Sequence, residues 1–381
     1  MNRQLISKIE KIMLSDAEED KFLSFATFLF GCSKIYFILI YIRNLLYKLN
    51  FLKSRRLPCF VISIGNITAG GTGKTPMTMY VARLVEKSGY KPVIVTRGYK
   101  GSYKNGPAVV SNGSDFFMTV EESGDEACMM AGELKIPVIV GKKRYNAGLL
   151  AIKEFRPDVI ILDDGFQHIA LERDLNLLLC DFKNPLGNGH LIPRGRLREP
   201  AQGFLRSDAV ILTRSDRRDE KDKLEKPDFL KNKPSFETCH SPYIVKHVNY
   251  SGKPELHFYP ENEAIEPKIS GFLFSAIADN DDFRLTCKKI GLNIKGFSAF
   301  LDHHGYTRKD LETIYVKYIE SNADYLVTTQ KDYVKIREMM PDNFPLIIIG
   351  IKIKFNNLEH KNTFDTLIES SLNKYKNVNP R

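Results

Sequence analysis

The pattern of apolar and polar residues first separates an N-terminal apolar run from the rest of the chain. From Phe22 to Ile42 nearly every residue is apolar. Asp20, just before the run, and Ser24, Thr27, Gly31 and Lys34 within it follow one another at intervals of four, three, four and three. On a helix this spacing gives one narrow polar stripe beside a wide apolar face. The run therefore predicts a helix with a large apolar surface.

Three interpretations of this helix stay open. Lys34 lies near the middle of the run, which disfavours a membrane-spanning helix, and the run does not resemble a secretory signal. A helix lying in the plane of a membrane fits better, while burial in the protein's own core is the other alternative. Basic residues follow directly after this run. They would suit anionic head groups and keep the body of the protein on the cytoplasmic side, and they are Arg43, Lys48, Lys53, Arg55 and Arg56.

After Pro58 the pattern changes to short Val/Ile/Leu-rich runs that alternate with helical segments. Continuous apolar runs are typical of parallel strands covered on both faces. The runs are 60–64, 92–96, 108–111, 137–141, 159–162, 175–180 and 209–212, with helices expected at 77–88, 126–134 and 146–155. This pattern predicts an α/β, doubly wound, mostly parallel sheet.

A charged stretch from Ser215 to Lys223 indicates a solvated loop or helix face, and a domain boundary is expected after it. Further strand-like runs follow at 272–277, 296–300, 325–328 and 346–351, with 243–250 as a possible connecting strand. We therefore expect three parts: an N-terminal membrane-associated segment at 1–50, a larger α/β domain at 51–235, and a smaller α/β domain at 236–381.

Composition adds constraints on partners and on the cellular compartment. The chain has 381 residues, of which 43% are hydrophobic and 27% charged, as in ordinary folded proteins. Its net charge of +10 favours anionic partners such as nucleotides, nucleic acids or acidic lipids. The six cysteines are spread singly, which favours a reducing compartment and no structural zinc.

The stretch from Val61 to Thr75 predicts the first functional site. An apolar strand is followed by a glycine-rich turn and then by a helix. The residues of this turn and of the helix start are Gly70, Gly71, Thr72, Gly73, Lys74 and Thr75. Such glycines allow a tight turn whose N–H groups face an anion, and the helix adds its positive N-terminal end. This is a phosphate-binding P-loop in which Lys74 reaches the outer phosphates and Thr75 holds Mg²⁺, although Thr68 stands where glycine is usual.

Carboxylates at the ends of other elements are candidates for metal binding and base catalysis. Asp163 and Asp164 end an apolar strand, as a Mg²⁺-positioning element opposite a P-loop requires. Gln167 and His168 follow on the same turn, would face the same cleft and are candidate substrate-binding residues. Asp125 and Glu126 lie at a predicted helix start, where they serve either as caps or as a general base and a metal contact. In the smaller domain, Asp302, His303 and His304 end a strand before a helix capped by Thr307 and Asp310.

Two basic loops follow strands of the same predicted sheet. One contains Arg97 and Tyr99, and the other runs from Gly187 to Glu199 and contains Asn188 and Arg198. Ligands of such sheets gather at the carboxyl ends of the strands, so these loops are placed to hold an anionic substrate. Arginine suits phosphate because it donates two parallel hydrogen bonds.

Taken together, these motifs resemble the tetraacyldisaccharide 4′-kinases, the lipid A 4′-kinases of Gram-negative bacteria. The resemblance covers most of the chain, and its motifs occur in one order: Gly65-Asn66 with Gly70 to Pro76, Arg97 to Tyr99, Gly124 to Glu126, Leu162 to His168, Gly187 to Glu199, Asp302-His303 and Lys331-Asp332. The P-loop of that family also lacks the first glycine. Departures fall in the smaller domain, at 275–280 and at Gln330.

The resemblance implies phosphorylation by ATP, with Mg²⁺, of the 4′-hydroxyl of an acylated glucosamine disaccharide 1-phosphate at the cytoplasmic face of the inner membrane. It implies that Asp125 is the catalytic aspartate and that His303 pairs with it. It further implies that Glu126, Asp163 and Asp164 are acids near the metal and that Arg198 is a cleft arginine. Closure of two domains over MgATP and the sugar is the expected mechanism.

Two other functions are weighed against this one. The stretch from Thr213 to Asp216 faintly resembles a guanine-reading motif, so a P-loop GTPase of the metal-insertion or targeting type is the alternative. A basic nucleic-acid or membrane binder without enzymatic activity is favoured by net charge alone, and no nucleic-acid module is recognisable. We expect no nucleic-acid partner and no obligate protein partner.

Overall fold

The computed structural model describes residues 3–15, 24–217, 233–248, 257–259, 264–266, 269–341 and 344–378. The expected loop at 215–223 lies mostly outside these residues, as do Asp20 and Phe22. By their internal contacts, the residues form two compact units. Unit 1 comprises Met1–Arg97, Gly141–Cys239 and Lys354–Arg381, and unit 2 comprises Gly98–Val140 and His240–Ile353.

The units are assembled from separate stretches of chain, whereas the boundaries expected at 50/51 and 235/236 divide it into contiguous parts. The chain passes from unit 1 to unit 2 after Cys239, four residues beyond the second expected boundary. Residues 98–140 belong to unit 2, although the pattern of apolar and polar residues does not distinguish them from the neighbouring residues of unit 1.

The strands follow the apolar runs closely. In chain order they are β1 Phe60–Asn66, β2 Pro92–Thr96, β3 Ala108–Ser111, β4 Val138–Val140, β5 Val159–Asp163, β6 Leu175–Asp181, β7 Ala209–Thr213, β8 Ser235–His247, β9 His257–Tyr259, β10 Ala264–Glu266, β11 Ser270–Ser275, β12 Asn293–Ala299, β13 Tyr325–Thr329 and β14 Leu346–Phe355.

The helices lie between these strands and at both ends of the chain. They are α1 Arg3–Leu14, α2 Phe25–Lys48, α3 Lys74–Lys87, α4 Val120–Ser123, α5 Asp125–Leu134, α6 Arg144–Phe155, α7 Asn280–Lys289, α8 Arg308–Glu320, α9 Gln330–Ile336 and α10 Leu358–Val378.

Unit 1 contains a parallel sheet in the order β8-β7-β6-β1-β5-β2. Every residue of β1, β2, β5 and β7 is buried, because helices cover the sheet on both faces. β1 is central, and Ile64 pairs with Asp163 of β5. The carboxyl ends of these two strands therefore lie side by side, which is where ligands bind in doubly wound sheets.

Unit 2 has its own parallel strands in the order β12-β11-β13-β14, and β3 pairs with β4 in antiparallel fashion. Apolar clusters cover its parallel strands, one of them around Leu273 and Val327 and another around Phe274 and Ile348. The predicted α/β fold class is therefore confirmed in both units, and the β3–β4 and β9–β10 pairs of unit 2 are antiparallel.

The N-terminal helix α2 is the element with the most exposed apolar surface. It is long and apolar enough to cross a membrane by length and composition, and only 22% of its most apolar window is buried. A core helix would be mostly buried, so the structure disfavours that interpretation. Its exposed apolar side chains include Phe28, Ile35, Phe37, Ile38, Leu39, Tyr41, Ile42 and Leu45.

Candidate active site

The turn between β1 and α3 has the backbone of a phosphate-binding loop. Gly70 and Gly73 have φ values of 117° and 78°, which L side chains rarely adopt. A Cβ on Gly70 would also lie 1.9 Å from a guanidinium nitrogen of Arg196. Asn66 stabilises the turn by donating to the hydroxyl of Thr72 at 2.8 Å. Gly73 precedes α3, so the helix N-terminus opens directly onto the turn that contains Gly71.

Lys74 and Thr75 begin α3, where the ammonium group of Lys74 lies 3.7 Å from the Asp164 carboxylate. Arg198 holds the same carboxylate, with its NH1 atom 2.8 and 3.0 Å from the two oxygens. Burial raises the pKa of Asp164, but the charges of Lys74 and Arg198 outweigh it and hold that pKa below its ordinary value. Asp164 is therefore an ionised carboxylate beside the P-loop, with 30% of its side chain exposed.

The neighbouring aspartate faces the interior. Asp163 is 1% exposed, and its carboxylate accepts hydrogen bonds from the hydroxyls of Thr78 at 3.0 Å and Thr96 at 3.4 Å. The sequence left open which of the two acids touches a metal. The more exposed carboxylate of Asp164 is the better placed to do so.

Arg144 is a residue that the sequence did not single out. It is fully buried, and it donates to the carbonyls of Gly141 at 2.7 Å and Asp163 at 3.0 Å. Burial lowers its pKa to about 10 despite the nearby Asp163 and Asp164. It begins α6, two residues before the expected helix start, and no sequence signal marks it as buried.

A cavity next to the β5 turn collects several of the predicted substrate-binding residues. Arg97, Gln167 and His168 line it, together with Arg43 and Lys142. Burial, followed by the charges of Arg144 and Arg97, lowers the pKa of His168 to about 4. His168 is therefore neutral at neutral pH, and the positive charge of the cavity comes from its arginines and lysine.

Two predicted substrate-binding residues make internal hydrogen bonds. Gln167 donates to the Asn66 carbonyl at 2.7 Å and to the Glu199 carboxylate at 2.9 Å. Asn188 donates to the carbonyls of Ser15 and Arg194 at 3.1 and 3.3 Å. Both side chains hold backbone around the P-loop and the 187–199 loop.

In unit 2, Asp125 and His303 meet although 178 positions separate them. The His303 Nδ1 atom lies 2.9 Å from Asp125 Oδ2, and the two side chains are 8% and 5% exposed. Asp125 is the first residue of α5, where its Oδ1 accepts from the N–H of Glu126 at 2.9 Å. Gly124 must be glycine, since its φ is 88° and a Cβ would lie 2.5 Å from the Tyr99 carbonyl.

Lys331 determines which nitrogen of His303 carries the proton. Its ammonium lies 3.1 Å from His303 Nε2 and 3.3 Å from Glu126 Oε1. Burial lowers the pKa of Lys331, but Glu126, Asp125 and Asp302 outweigh it and raise that pKa. Because an ammonium group only donates, Nε2 must accept, which leaves the proton on Nδ1 to be donated to Asp125.

The Asp125 carboxylate stays ionised in this setting. Burial raises its pKa, but the His303 hydrogen bond and the charges of Lys331 and Lys335 outweigh it, so the pKa lies below its ordinary value. Lys335, one helical turn after Lys331 on α9, forms an ion pair of 2.7 Å with the fully buried Asp332. Sequence reasoning did not name Lys335, although its i, i+3 spacing from Asp332 is a usable signal of this ion pair.

The remaining predicted site residues of unit 2 lie around this pair. The ring of Tyr99 packs edge-on against His303 with centroids 5.1 Å apart, and about half of Tyr99 is exposed. Glu126, expected near the metal, is the ion-pair partner of Lys331. The described residues contain no group of three or more His, Cys, Asp or Glu side chains that could hold a metal ion.

Comparison with known proteins decides the family. Residues 25–373 match the model of the family described as tetraacyldisaccharide-1-P 4′-kinase. The chain belongs to this family. The resemblance drawn from the P-loop, Asp125 and the 187–199 loop is thereby confirmed.

Curated members of the family are similar along almost their whole length. The tetraacyldisaccharide 4′-kinase of Desulfatibacillum aliphaticivorans is 36% identical over 377 residues, which are 96% of this chain and 97% of that protein. The enzyme of the same name from Syntrophus aciditrophicus is 38% identical over 341 residues, covering 87% of this chain and 89% of that one.

A solved structure of a family member shares the fold. The LpxK protein from Aquifex aeolicus, crystallised in complex with ATP, has a TM-score of 0.71 and 32% sequence identity. The similarity covers 92% of this chain and all of that one.

Proposed function

We propose that this chain transfers the γ-phosphoryl group of ATP to the 4′-hydroxyl of the acylated glucosamine disaccharide 1-phosphate precursor of lipid A. The observation that carries the proposal is the family match over residues 25–373. The intact P-loop of unit 1 supports a nucleotide phosphate donor, since its glycines and α3 are arranged to bind an anion.

The P-loop binds the phosphates of ATP in this proposal. N–H groups of residues 70–75 face the phosphates, and Lys74 leaves Asp164 to neutralise charge on the transferred group. Arg198 keeps Asp164 paired when Lys74 moves, so the carboxylate is never left as an isolated charge.

Mg²⁺ fits the oxygen donors on this side of unit 1. The hydroxyl of Thr75 and the partly exposed carboxylate of Asp164 would hold it, with Asp163 behind them. Mg²⁺ is usually bound by one or two carboxylates plus substrate phosphates, and Asp164 would supply the carboxylate here. When bound, the ion supplies positive charge to the phosphates.

The acceptor hydroxyl gives its proton to Asp125. The carboxylate is ionised and buried, and the His303 Nδ1–H fixes its orientation. Lys331 keeps His303 in the tautomer that donates to Asp125 and offsets negative charge beside it. Glu126 serves mainly to hold Lys331.

The basic cavity at Arg97, Lys142 and His168 suits the anionic head of the substrate. Tyr99, exposed beside His303, offers a surface for the sugar. Gln167 and Asn188 act indirectly, because their side chains hold the backbone at Asn66 and Ser15.

The exposed apolar face of α2 associates with the cytoplasmic face of the inner membrane, where the acyl chains of the substrate remain. Lys34, Arg43 and Lys48 on the helix and Lys53 just after it would contact anionic head groups. Whether α2 lies in the plane or spans the bilayer does not alter the chemistry in unit 1.

The GTPase alternative gains no support. Arg214 pairs with Asp181 at 3.1 Å, and the buried Ser215 hydroxyl bonds to Thr238 and Asn356, so the Thr213–Asp216 stretch is occupied by internal contacts. None of the relatives compared above is a GTPase.

The decisive experiment incubates the full chain with γ-labelled ATP and the disaccharide 1-phosphate lipid, and measures label in the lipid. We expect label from ATP and not from GTP, and its loss in Lys74→Met. The matched control is Lys87→Met, an exposed lysine at the other end of α3, which should retain activity. Absence of labelled lipid with the wild-type chain would refute the assigned acceptor.

A further inference from the structure

The segment Leu191–Arg198 lies directly against the P-loop. The N–H of Ala69 donates to the Arg196 carbonyl at 2.6 Å, and the N–H of Arg198 donates to the Ile67 carbonyl at 2.7 Å. The Arg196 side chain returns a hydrogen bond to the Ala69 carbonyl at 2.9 Å. The backbone that enters the P-loop therefore takes its position from this segment.

The opposite side of the same segment is bound by α2. The N–H of Arg194 donates to the Ser33 hydroxyl at 3.0 Å, and that hydroxyl lies 2.8 Å from the Leu191 carbonyl. The Tyr36 hydroxyl donates to the Arg198 carbonyl at 2.9 Å. Arg198 is thus held at its carbonyl by α2, at its N–H by the P-loop, and at its guanidinium by Asp164.

Packing of α2 alone does not require these two hydroxyls. The buried face of α2 is otherwise apolar, with Ala26, Leu29 and Ile40, and the Tyr36 ring packs against the cluster that contains Ile67 and Leu197. A buried hydroxyl costs free energy unless it is hydrogen-bonded, so an apolar side chain would serve packing equally well. The Tyr36 hydroxyl instead bonds to the backbone of Leu191–Arg198. The Ser33 hydroxyl bonds to the same segment and also lies 3.0 Å from the Leu29 carbonyl of its own helix.

We propose that Ser33 and Tyr36 are positioning residues for the nucleotide site. Through Leu191–Arg198 they set the position of the Arg198 guanidinium, which holds the Asp164 carboxylate beside the P-loop. The inference rests on the proposed function in one respect, which is that the P-loop binds ATP. It adds that Leu191–Arg198 connects the helix with the exposed apolar face to the phosphate-binding turn.

Tyr36→Phe tests this because it removes only the hydroxyl and keeps the packing ring. Loss of one net hydrogen bond corresponds to about 3- to 10-fold in an equilibrium constant, so we expect the dissociation constant of ATP to rise by about that factor. The measurement is equilibrium titration of the full chain in detergent with ATP. The control is Tyr41→Phe, a tyrosine of the same helix that is 57% exposed, which should leave ATP affinity unchanged. Ser33→Ala should act in the same direction as Tyr36→Phe.

A double-mutant cycle with Arg198→Met separates positioning from general stability. If Tyr36 acts through Arg198, Tyr36→Phe should change ATP affinity less than about 2-fold when Arg198 is already Met. Equal ATP affinity of Tyr36→Phe and wild type, or effects that simply multiply in the cycle, would overturn the inference. The lipid acceptor does not enter this measurement, so an error in the acceptor leaves the test intact. If wild type binds no ATP, the inference fails together with the proposed nucleotide site.

Discussion

At the scale of single residues, the Asp125–His303–Lys331 chain is the part of the molecule whose protonation is best defined by geometry. One ammonium group, one imidazole and one carboxylate follow one another at 3.1 and 2.9 Å. The direction of both hydrogen bonds is fixed, because the ammonium group only donates and the carboxylate only accepts.

Asp125→Asn should abolish the base while preserving shape. We expect turnover to fall by about 10²- to 10⁴-fold, the usual contribution of a general base. The affinity for ATP should be unchanged, since Asp125 lies outside the P-loop. Asp310→Asn is the matched control, because Asp310 also bonds to a histidine, His304, at 3.2 Å. Turnover of Asp125→Asn close to that of Asp310→Asn would mean that another group takes the proton.

Lys331→Met should change the pH dependence. The positive charge of Lys331 lowers the pKa of Asp125, so its removal lets burial raise that pKa. A carboxylate with a higher pKa becomes protonated at higher pH, and the acidic limb of the kcat/KM profile should therefore move to higher pH. Lys309→Met, at an exposed position of α8, should leave the profile in place. A profile that moves to lower pH in Lys331→Met would contradict the assignment.

At the scale of elements, α2 and the strand-to-helix turn after β1 carry most of the functional interpretation. The turn depends on local glycine conformations, whereas α2 depends on what covers its exposed apolar face. Ile38 and Ile42 of α2 are about half exposed, so the described residues of unit 1 leave this part of its apolar face uncovered.

Replacing Ile38 and Ile42 together by Asp should weaken membrane association. Each lost isoleucine removes about 1.5–3 kcal/mol of burial, so the double variant should partition into vesicles at least 10-fold more weakly. Flotation with vesicles that contain phosphatidylglycerol measures this, and ATP affinity in detergent reports on the integrity of unit 1. Leu285→Asp, at an exposed position of α7, should float like wild type. Undiminished flotation of the double variant would place the membrane contact elsewhere.

The helical and strand elements were largely predictable because their signals are local. β2 and β3 begin and end where the apolar runs at 92–96 and 108–111 do. The capping box of α8 at Thr307 and Asp310 is also confirmed. The long strand β8 was missed over most of its length, because its mixed buried and exposed residues lack a continuous apolar run.

At the scale of the whole molecule, the net charge of +10 should strengthen the proposed association with anionic membranes. Salt screens exposed charges over about 10 Å at 0.1 M, but it does not weaken apolar insertion. Binding to anionic vesicles should therefore fall as salt rises from about 0.05 to about 0.5 M, while weaker binding to zwitterionic vesicles changes little. Cosedimentation across this range measures both, and equal salt dependence for the two lipids would exclude a head-group contribution.

The sequence by itself determined the features that depend on neighbouring residues. Glycines that need positive φ, apolar runs that need burial on both faces, and the Lys74-Thr75 pair at a helix start all act within about 15 positions. For the same reason, it identified Asp125 and His303 as candidates, while their pairing came only from the family resemblance.

Apart from the Asp125–His303 pair, which the family resemblance implied, only the tertiary structure decided which distant groups meet. Lys331 contacts Glu126 205 positions away, and Tyr36 contacts Arg198 162 positions away. The burial of Arg144 and the different exposure of Asp163 and Asp164 arose in the same way. Hydrogen bonds and pKa values depend on distance and burial in space, and the path of the chain sets both.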